Sequence, residues 1–584
     1  MLFIKGHGYQ VVADGENECG NAYYSQAAAC GFCGNEDYPS WEDADFSSFG
    51  YFFPGAPPAN ADDTTTGALA LLADAMIDQA PAVDDNSNIP AVFTYIGQFI
   101  DHDITANTDR NTSFSNIDIK TITPLNRADI IANIANLRTG RLDLDSLYGG
   151  AAVQGAFAKK FTISGLLRHP VFKAKLRIGK DTTIPGQVQT PPDDPARDLL
   201  RLGRILQDGT LSEDDILALP KDLREQFTDG DGKVNPRRAV IGDDRNDENL
   251  AVAQVHLAMA RFHNVVIDHS NSIGGPGGDT SEEAFEFARQ QVRWQYQWLI
   301  LNDYLPRVCD PDVVANTIRD GAPVYSEFFK ANGGDTNRLP MPLEFSVAGF
   351  RFGHTMARAD YDWNRFFGRN GDILPRATFQ QLFQFTGNGD MRGAPTLPSN
   401  WPADWSRMAD DNPPFPDRFT RKIDTRLSPP LLNMANAPNG IHARLKHLAE
   451  RNLRRGLLLN IPSAQACLDG FRNAGVDLPA LSRNDLEAGP GGAVLTDTNL
   501  IDQVPLWYYV LREAEVQRDG KSLGSLGSRI VSETLIGLAV CDPASYWNTK
   551  GTGPDNRWHP QDNVRPKNEV INSFAKLLKA SGVL

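Results

Sequence analysis

Cysteine is scarce in this chain: six residues in 584, at 19, 30, 33, 309, 467 and 541, too few to staple a fold of this length. Cys30-Gly31-Phe32-Cys33 has the spacing of a redox or metal pair, but it lies in a Gly/Asn-rich stretch with no second pair beside it. A local disulfide or free thiols is the reading it favours. Long apolar runs are missing too. No stretch approaches 18 apolar residues, so no membrane-spanning helix is expected, and Met1-Leu2-Phe3-Ile4-Lys5-Gly6-His7 lacks the basic start and apolar run of a cleavable signal. Positive charge is in deficit, with 57 Lys and Arg against 73 Asp and Glu, a formal net charge of −16. That argues against a nucleic-acid or anionic-membrane partner. Alternating β patterns are rare, and no repeat period appears.

What is present is helical periodicity. Residues 1–60, rich in Gly, Asn, Asp, Ser and aromatics and broken by Pro54-Gly55-Ala56-Pro57-Pro58, read as an irregular arm wrapping the surface. From about residue 67, apolar residues recur at helical spacing over 92–104, 250–270, 280–304, 341–357, 442–459 and 524–540. Candidate chemistry is scattered over some 360 residues, so cutting the chain into independent domains would cut the site. The expectation is a mainly α fold with one large catalytic domain over 61–584.

Three segments carry side chains suited to catalysis. In Gln98-Phe99-Ile100-Asp101-His102-Asp103, a helix over 94–104 puts Gln98 and His102 on one face, with Asp101 and Asp103 flanking it on opposite sides. One helix can thus line a reactive pocket and also offer a carboxylate to a metal behind it. In Ile241 to Asn249, Arg245 and Glu248 stand three apart before an apolar helix. They read either as a helix-start salt bridge or as a permanent cation for a developing oxyanion beside a carboxylate for a cofactor. In Glu344 to His354, a histidine ends an aromatic-rich segment with Arg351 one turn earlier. As an iron ligand His354 needs an acceptor for its Nδ1–H, and Asn460, after Gly456-Leu457-Leu458-Leu459, is the candidate; its alternative is a helix C-cap. Finally, Thr139, the carbonyl of Arg141, Asp143 and Asp145 form an oxygen-rich loop able to bind Ca²⁺ with Asp103, although it lacks EF-hand spacing and an acidic surface turn is an equal reading.

Together, in this order, these segments resemble the animal-type haem peroxidase family of the peroxidase-cyclooxygenase superfamily, in one of its bacterial branches, over roughly residues 50–550. The resemblance implies that Gln98, His102 and Arg245 are catalytic, and that Asp101 and Glu248 join haem b through ester bonds. It implies His354 as iron ligand, Arg351 and Asn460 beside it, and calcium at Asp103, Thr139, Arg141, Asp143 and Asp145. Trp298 to Pro306 also resembles a family helix end. Two departures matter. Asn249 stands where myeloperoxidase-like members have the methionine whose sulfur bonds haem. Arg351 stands where cyclooxygenases and fatty-acid dioxygenases have a radical-forming tyrosine.

The implied activity is reduction of hydrogen peroxide with oxidation of phenols or other small donors, with iodide or bromide as candidate halides. The alternatives are a fatty-acid dioxygenase or hydroperoxide isomerase on the same scaffold, and a non-enzymatic adhesion or matrix protein. A monomer and export by a non-classical route are the favoured expectations, with a cytoplasmic location as the alternative.

Overall fold

The computed structural model describes residues 47–584, apart from 59–60, 62–63, 80–84, 107–121, 137, 150–162, 183–194, 220–223, 225–226, 435–441 and 499. Cys19, Cys30, Cys33 and most of the expected N-terminal arm lie outside these residues. In the described end of that stretch, 47–52 is mostly buried and 53–58 is irregular and largely exposed. Ser47–Gly50 (β1) pairs antiparallel with Ala135–Asn136 (β2) and parallel with Met341–Pro342 (β3). Phe49 and Tyr51 are buried in the core.

Most of the expected helices appear, together with one over Leu506–Arg518 that the periodicity does not single out. Thr65–Ala75 (α1), Val92–Ile104 (α2), Leu250–His269 (α3), Glu282–Leu299 (α4), Leu448–Leu458 (α5), Leu506–Arg518 (α6) and Ser525–Cys541 (α7) pack around one apolar cluster that extends from Phe49 to Val583. α3 is apolar almost all round because the core surrounds it. With the 3-10 turn that follows, it is long and apolar enough to cross a membrane, yet 83% of that window is buried inside the protein.

The segment 341–357 departs from the regular helix expected. It forms a π-helical turn over Glu344–Ala348, a 3-10 turn over Gly349–Phe352 and a single α-helical turn over Gly353–Met356. The cause is local. The buried Glu344 carboxylate accepts the backbone N–H groups of Phe52 and Phe53 at 3.0 and 3.2 Å, tying this segment to the strand-bearing end of the chain. Gly349 lies against Ile530 of α7 with no room for a Cβ. These irregular turns re-aim the side chains after Ala348, as π-helical insertions do near functional sites.

Candidate functional site

A cavity of about 1220 Å³, counting its open mouth, is lined from several parts of the chain. Gln98 and Asp101 come from α2, Glu248 and Asn249 from the start of α3, and Arg351, Gly353 and His354 from the irregular turns. Asn452 and two further arginines, Arg451 and Arg455, come from α5. Gly97 is required where it stands, because the Tyr304 hydroxyl lies where its Cβ would be, and both residues line the cavity.

The cavity's polar wall is organised by hydrogen bonds with fixed directions. Asn249 caps α3 by accepting the Val252 N–H at its Oδ1, at 3.0 Å. Its Nδ2 therefore faces outward and donates to Gln98 Oε1 at 3.0 Å, which leaves Gln98 Nε2 to donate to Glu248 Oε1 at 2.7 Å. Asp101 accepts from the Thr105 hydroxyl at 2.8 Å and from Arg351 at 3.2 Å. Burial pushes its pKa up, but the positive charges of Arg351, His102 and Arg245 and the Thr105 hydrogen bond outweigh it, so the carboxyl ends below its ordinary value.

One sequence expectation is corrected here, and two others take a different geometry from the one expected. Asn460 is not the partner at His354 Nδ1; Asn452 is, at 2.9 Å. Asn460 ends its helix in a left-handed conformation (φ 49°), donates to the Leu125 carbonyl and uses its own carbonyl to accept from Arg127. It fills the helix-end alternative. Asn452 was legible in principle, since it lies one helical turn after Leu448 on an apolar stripe where an amide needs a partner. Second, Arg245 does not pair with Glu248 and is not among the residues lining the cavity. The chain from Asp244 to Asp247 is a 3-10 turn, and Arg245 folds back on Asp243, 2.6 Å away, and donates to the carbonyls of His102 and Thr105 at 2.9 and 3.0 Å. Arg138 also pairs with Asp243 and donates to the His102 carbonyl. Two cations thus hold the C-terminal end of α2, where the helix dipole favours them. His102 is fully buried behind the cavity wall, with Nδ1 2.9 Å from Asn246 Oδ1.

Third, the calcium set is gathered but not closed. Asp103 accepts the N–H groups of Leu144 and Ser146 at 3.2 and 3.3 Å, which docks the 139–146 loop on the back of α2. Arg141 turns its side chain inward onto Asp143 at 2.9 Å, and Arg293 of α4 reaches the same carboxylate at 3.3 Å. Among the described residues no three His, Cys, Asp or Glu side chains stand in a metal-ligating cluster. The loop nevertheless carries excess negative charge. Burial, then the charges of Asp143 and Asp145, push Asp103 up to about 8, and burial with Asp143 pushes Asp145 up to about 7. Asp143 Oδ1 and Ser146 Oγ are buried without hydrogen-bond partners. Such a donor set fits a hard cation.

The cavity's donor set also fits haem. Asn452 presents its Nδ2 to His354 Nδ1; turned end for end, that amide would accept the Nδ1–H and leave Nε2 as the nitrogen through which the ring would ligate iron. Asp101 and Glu248 are carboxylates on the wall, and Arg351, Arg451 and Arg455 match acidic substituents.

Residues 196–386 match the profile of the family described as Animal haem peroxidase. Over most of its length the structure is similar to peroxidase A from Dictyostelium discoideum, with a TM-score of 0.52 at 16% identity, covering 94% of this chain and 96% of that one. The fold is animal-peroxidase-like. It is equally similar to the fatty acid alpha-dioxygenases of Oryza sativa (TM-score 0.52, 12% identity, covering 93% and 82%) and Arabidopsis thaliana (0.51, 14%, 93% and 78%). A "Peroxidase-like protein" of Margaritifera margaritifera is 24% identical over 299 residues, half of this chain. The match spans about a third of that relative's length, 35%. These relatives are all eukaryotic, which overturns the expected bacterial branch.

Proposed function

We propose that the chain is a haem peroxidase that reduces hydrogen peroxide and oxidises small donors such as phenols, with iodide or bromide as further candidates. The observation that carries this reading is the shared cavity. His354, with Nδ1 held by Asn452, lines the same space as Gln98, Asp101 and Glu248. His354 would hold haem b, and Asp101 and Glu248 would bond it covalently; when bound, the haem supplies the two-electron redox chemistry with peroxide.

The chain's own residues provide the rest. Gln98 keeps a second amide hydrogen beyond the one it gives Glu248, and so can orient a small polar molecule in the cavity. His102, the imidazole of the wall helix, takes and returns a proton at Nε2. Arg245 acts by holding the end of α2, and hence His102, rather than by facing the cavity. Before any bond to haem forms, Asp101 is an ionised carboxylate beside Arg351. A calcium ion at Asp103, Asp143 and Asp145 would neutralise the loop and brace α2 from behind.

A second reading is a fatty-acid dioxygenase. Its support is the equal similarity to the alpha-dioxygenases and the presence of Tyr95 and Tyr304 on the cavity wall. Arg351 opposes it, because a guanidinium engaged with Asp101 occupies the position of the radical-forming tyrosine. Product analysis separates the two. The peroxidase reading expects peroxide-dependent oxidation of guaiacol and iodide. Efficient oxygen insertion into linoleate without added peroxide would overturn it.

A further inference from the structure

Behind the cavity wall, His102 and His256 face the two ends of one side-chain amide. Asn246 Oδ1 lies 2.9 Å from His102 Nδ1, and Asn246 Nδ2 lies 3.1 Å from His256 Nδ1. All three residues are buried. The amide is itself fixed in place. Asn246 sits in the 3-10 turn Asp244–Asp247, its backbone N–H donates to the Asp243 carbonyl at 3.0 Å, and Asp243 is clamped by Arg138 and Arg245. Those two arginines also hold the His102 carbonyl. His256 stands on α3, which packs against α2.

A primary amide presents one acceptor and one donor end. Bridging two imidazole nitrogens, it requires N–H on one and a lone pair on the other, so the tautomers of the two histidines are linked in opposite senses. With Oδ1 toward His102, that ring carries its proton on Nδ1 and its lone pair on Nε2, while His256 carries its proton on Nε2. We propose that Asn246, backed by His256, is a positioning residue that locks His102 in the tautomer whose Nε2 is the basic nitrogen.

The lock has a mechanistic consequence. When Nε2 takes a proton, the resulting imidazolium still donates from Nδ1 to the same oxygen, so uptake and return of the proton require no movement of the amide. His256 is suited to the backing role because burial, only partly opposed by the charge of Asp243, pushes its pKa down to about 3. It therefore stays neutral and keeps its Nδ1 lone pair for Asn246 Nδ2. A base histidine held in the wrong tautomer loses up to about 10⁴ in rate in the best-documented case, so such a lock carries real weight. The catalytic meaning of the lock rests on the peroxidase reading; the lock itself does not.

The test uses the full-length chain with ¹⁵N-labelled histidine, kept diamagnetic, and ring ¹⁵N–¹H correlation spectra. The ten histidines are few enough to assign by loss of signals in His102→Gln and His256→Gln. The expected result is His102 protonated at Nδ1 and His256 at Nε2. Asn246→Leu should release His102 into a tautomer mixture and lower kcat/KM for peroxide by roughly tenfold or more, leaving the KM for the donor unchanged. Asn246→Asp, which accepts from both rings, should keep His102 protonated at Nδ1, restore most of the rate, and turn His256 to its Nδ1–H form. A purely structural role would not produce that exchange. His102 protonated at Nε2 in the wild type, or a ring state unchanged in Asn246→Leu, would overturn the proposal. The expected tautomers in a chain that never consumes peroxide would uphold the lock and sink the peroxidase reading alone.

Discussion

Asp101 and Asp103 are the same residue type, two positions apart on one helix and both buried, yet they titrate in opposite directions. Burial pushes both up. Asp101 faces the cavity, and Arg351 on the same wall, with His102 and Arg245 behind it, more than cancels that push. Asp103 faces the 139–146 loop, where Asp143 and Asp145 add to it and raise it to about 8. The sign is set by the neighbours' charge, not by depth. The two faces of α2 therefore differ in kind: the cavity face carries its own countercharge, and the rear face is short of one.

Supplying or withholding that missing charge should have the largest effect. Asp103 titrates near 3.9 when unfolded and near 8 when folded without a cation. Between those values the folded chain binds more protons than the unfolded one, so this contribution to stability is full below about pH 4 and is lost as pH rises toward 8. The chelated chain is therefore expected to lose a few kcal/mol between pH 5 and pH 8.5, and saturating calcium should abolish the loss. Melting curves across that range, with and without calcium, measure both arms; a pH trend untouched by calcium would mean that the rear face binds no cation.

On the cavity face the corresponding break is Arg351→Gln, which strips Asp101 of its nearest countercharge. The cost is expected at about 1–3 kcal/mol, below the full penalty for a buried pair because the guanidinium borders the cavity. Arg351→Gln with Asp101→Asn together should recover much of it in a double-mutant cycle measured by denaturant unfolding. Independent, additive effects would remove the contrast between the two faces.

A smaller and more local effect separates the two asparagines. Asn452→Ala should weaken haem affinity or peroxide turnover about tenfold, as losing the partner of a ligating histidine does. Asn460→Ala should leave both within about twofold, because its bonds are to Leu125 and Arg127. Haem titrations of both variants decide it, and the reverse ranking would restore Asn460 as the partner of His354.

The helices were legible because apolar residues recur at helical spacing in 92–104, 250–270 and 524–540, even where, as in α3, the core surrounds the helix. The turns of 344–356 were not, because their geometry answers to Phe52 and Phe53, nearly 300 residues away in sequence. The same limit explains the site. Gln98, Asp101, Glu248, Arg351 and His354 announce themselves as polar residues in apolar surroundings, and the structure brings them to one cavity. The inward turn of Arg245 depends on Asp243 beside it and on the His102 and Thr105 carbonyls and Arg138 in other segments, which spacing along one helix does not encode. Asn452 lost to Asn460 because an amide after an apolar run draws attention, whereas one inside the stripe passes as helix.

Haem titration followed by absorbance of the full-length chain tests the central claim most directly, with wild type beside His354→Ala. Wild type is expected to bind one haem per chain with the spectrum of a histidine-ligated iron, and to change that spectrum on addition of hydrogen peroxide. His354→Ala should lose both the spectrum and the peroxide response while keeping its helical circular dichroism. A wild-type spectrum retained in His354→Ala would contradict His354 as the iron ligand and the cavity as the haem site.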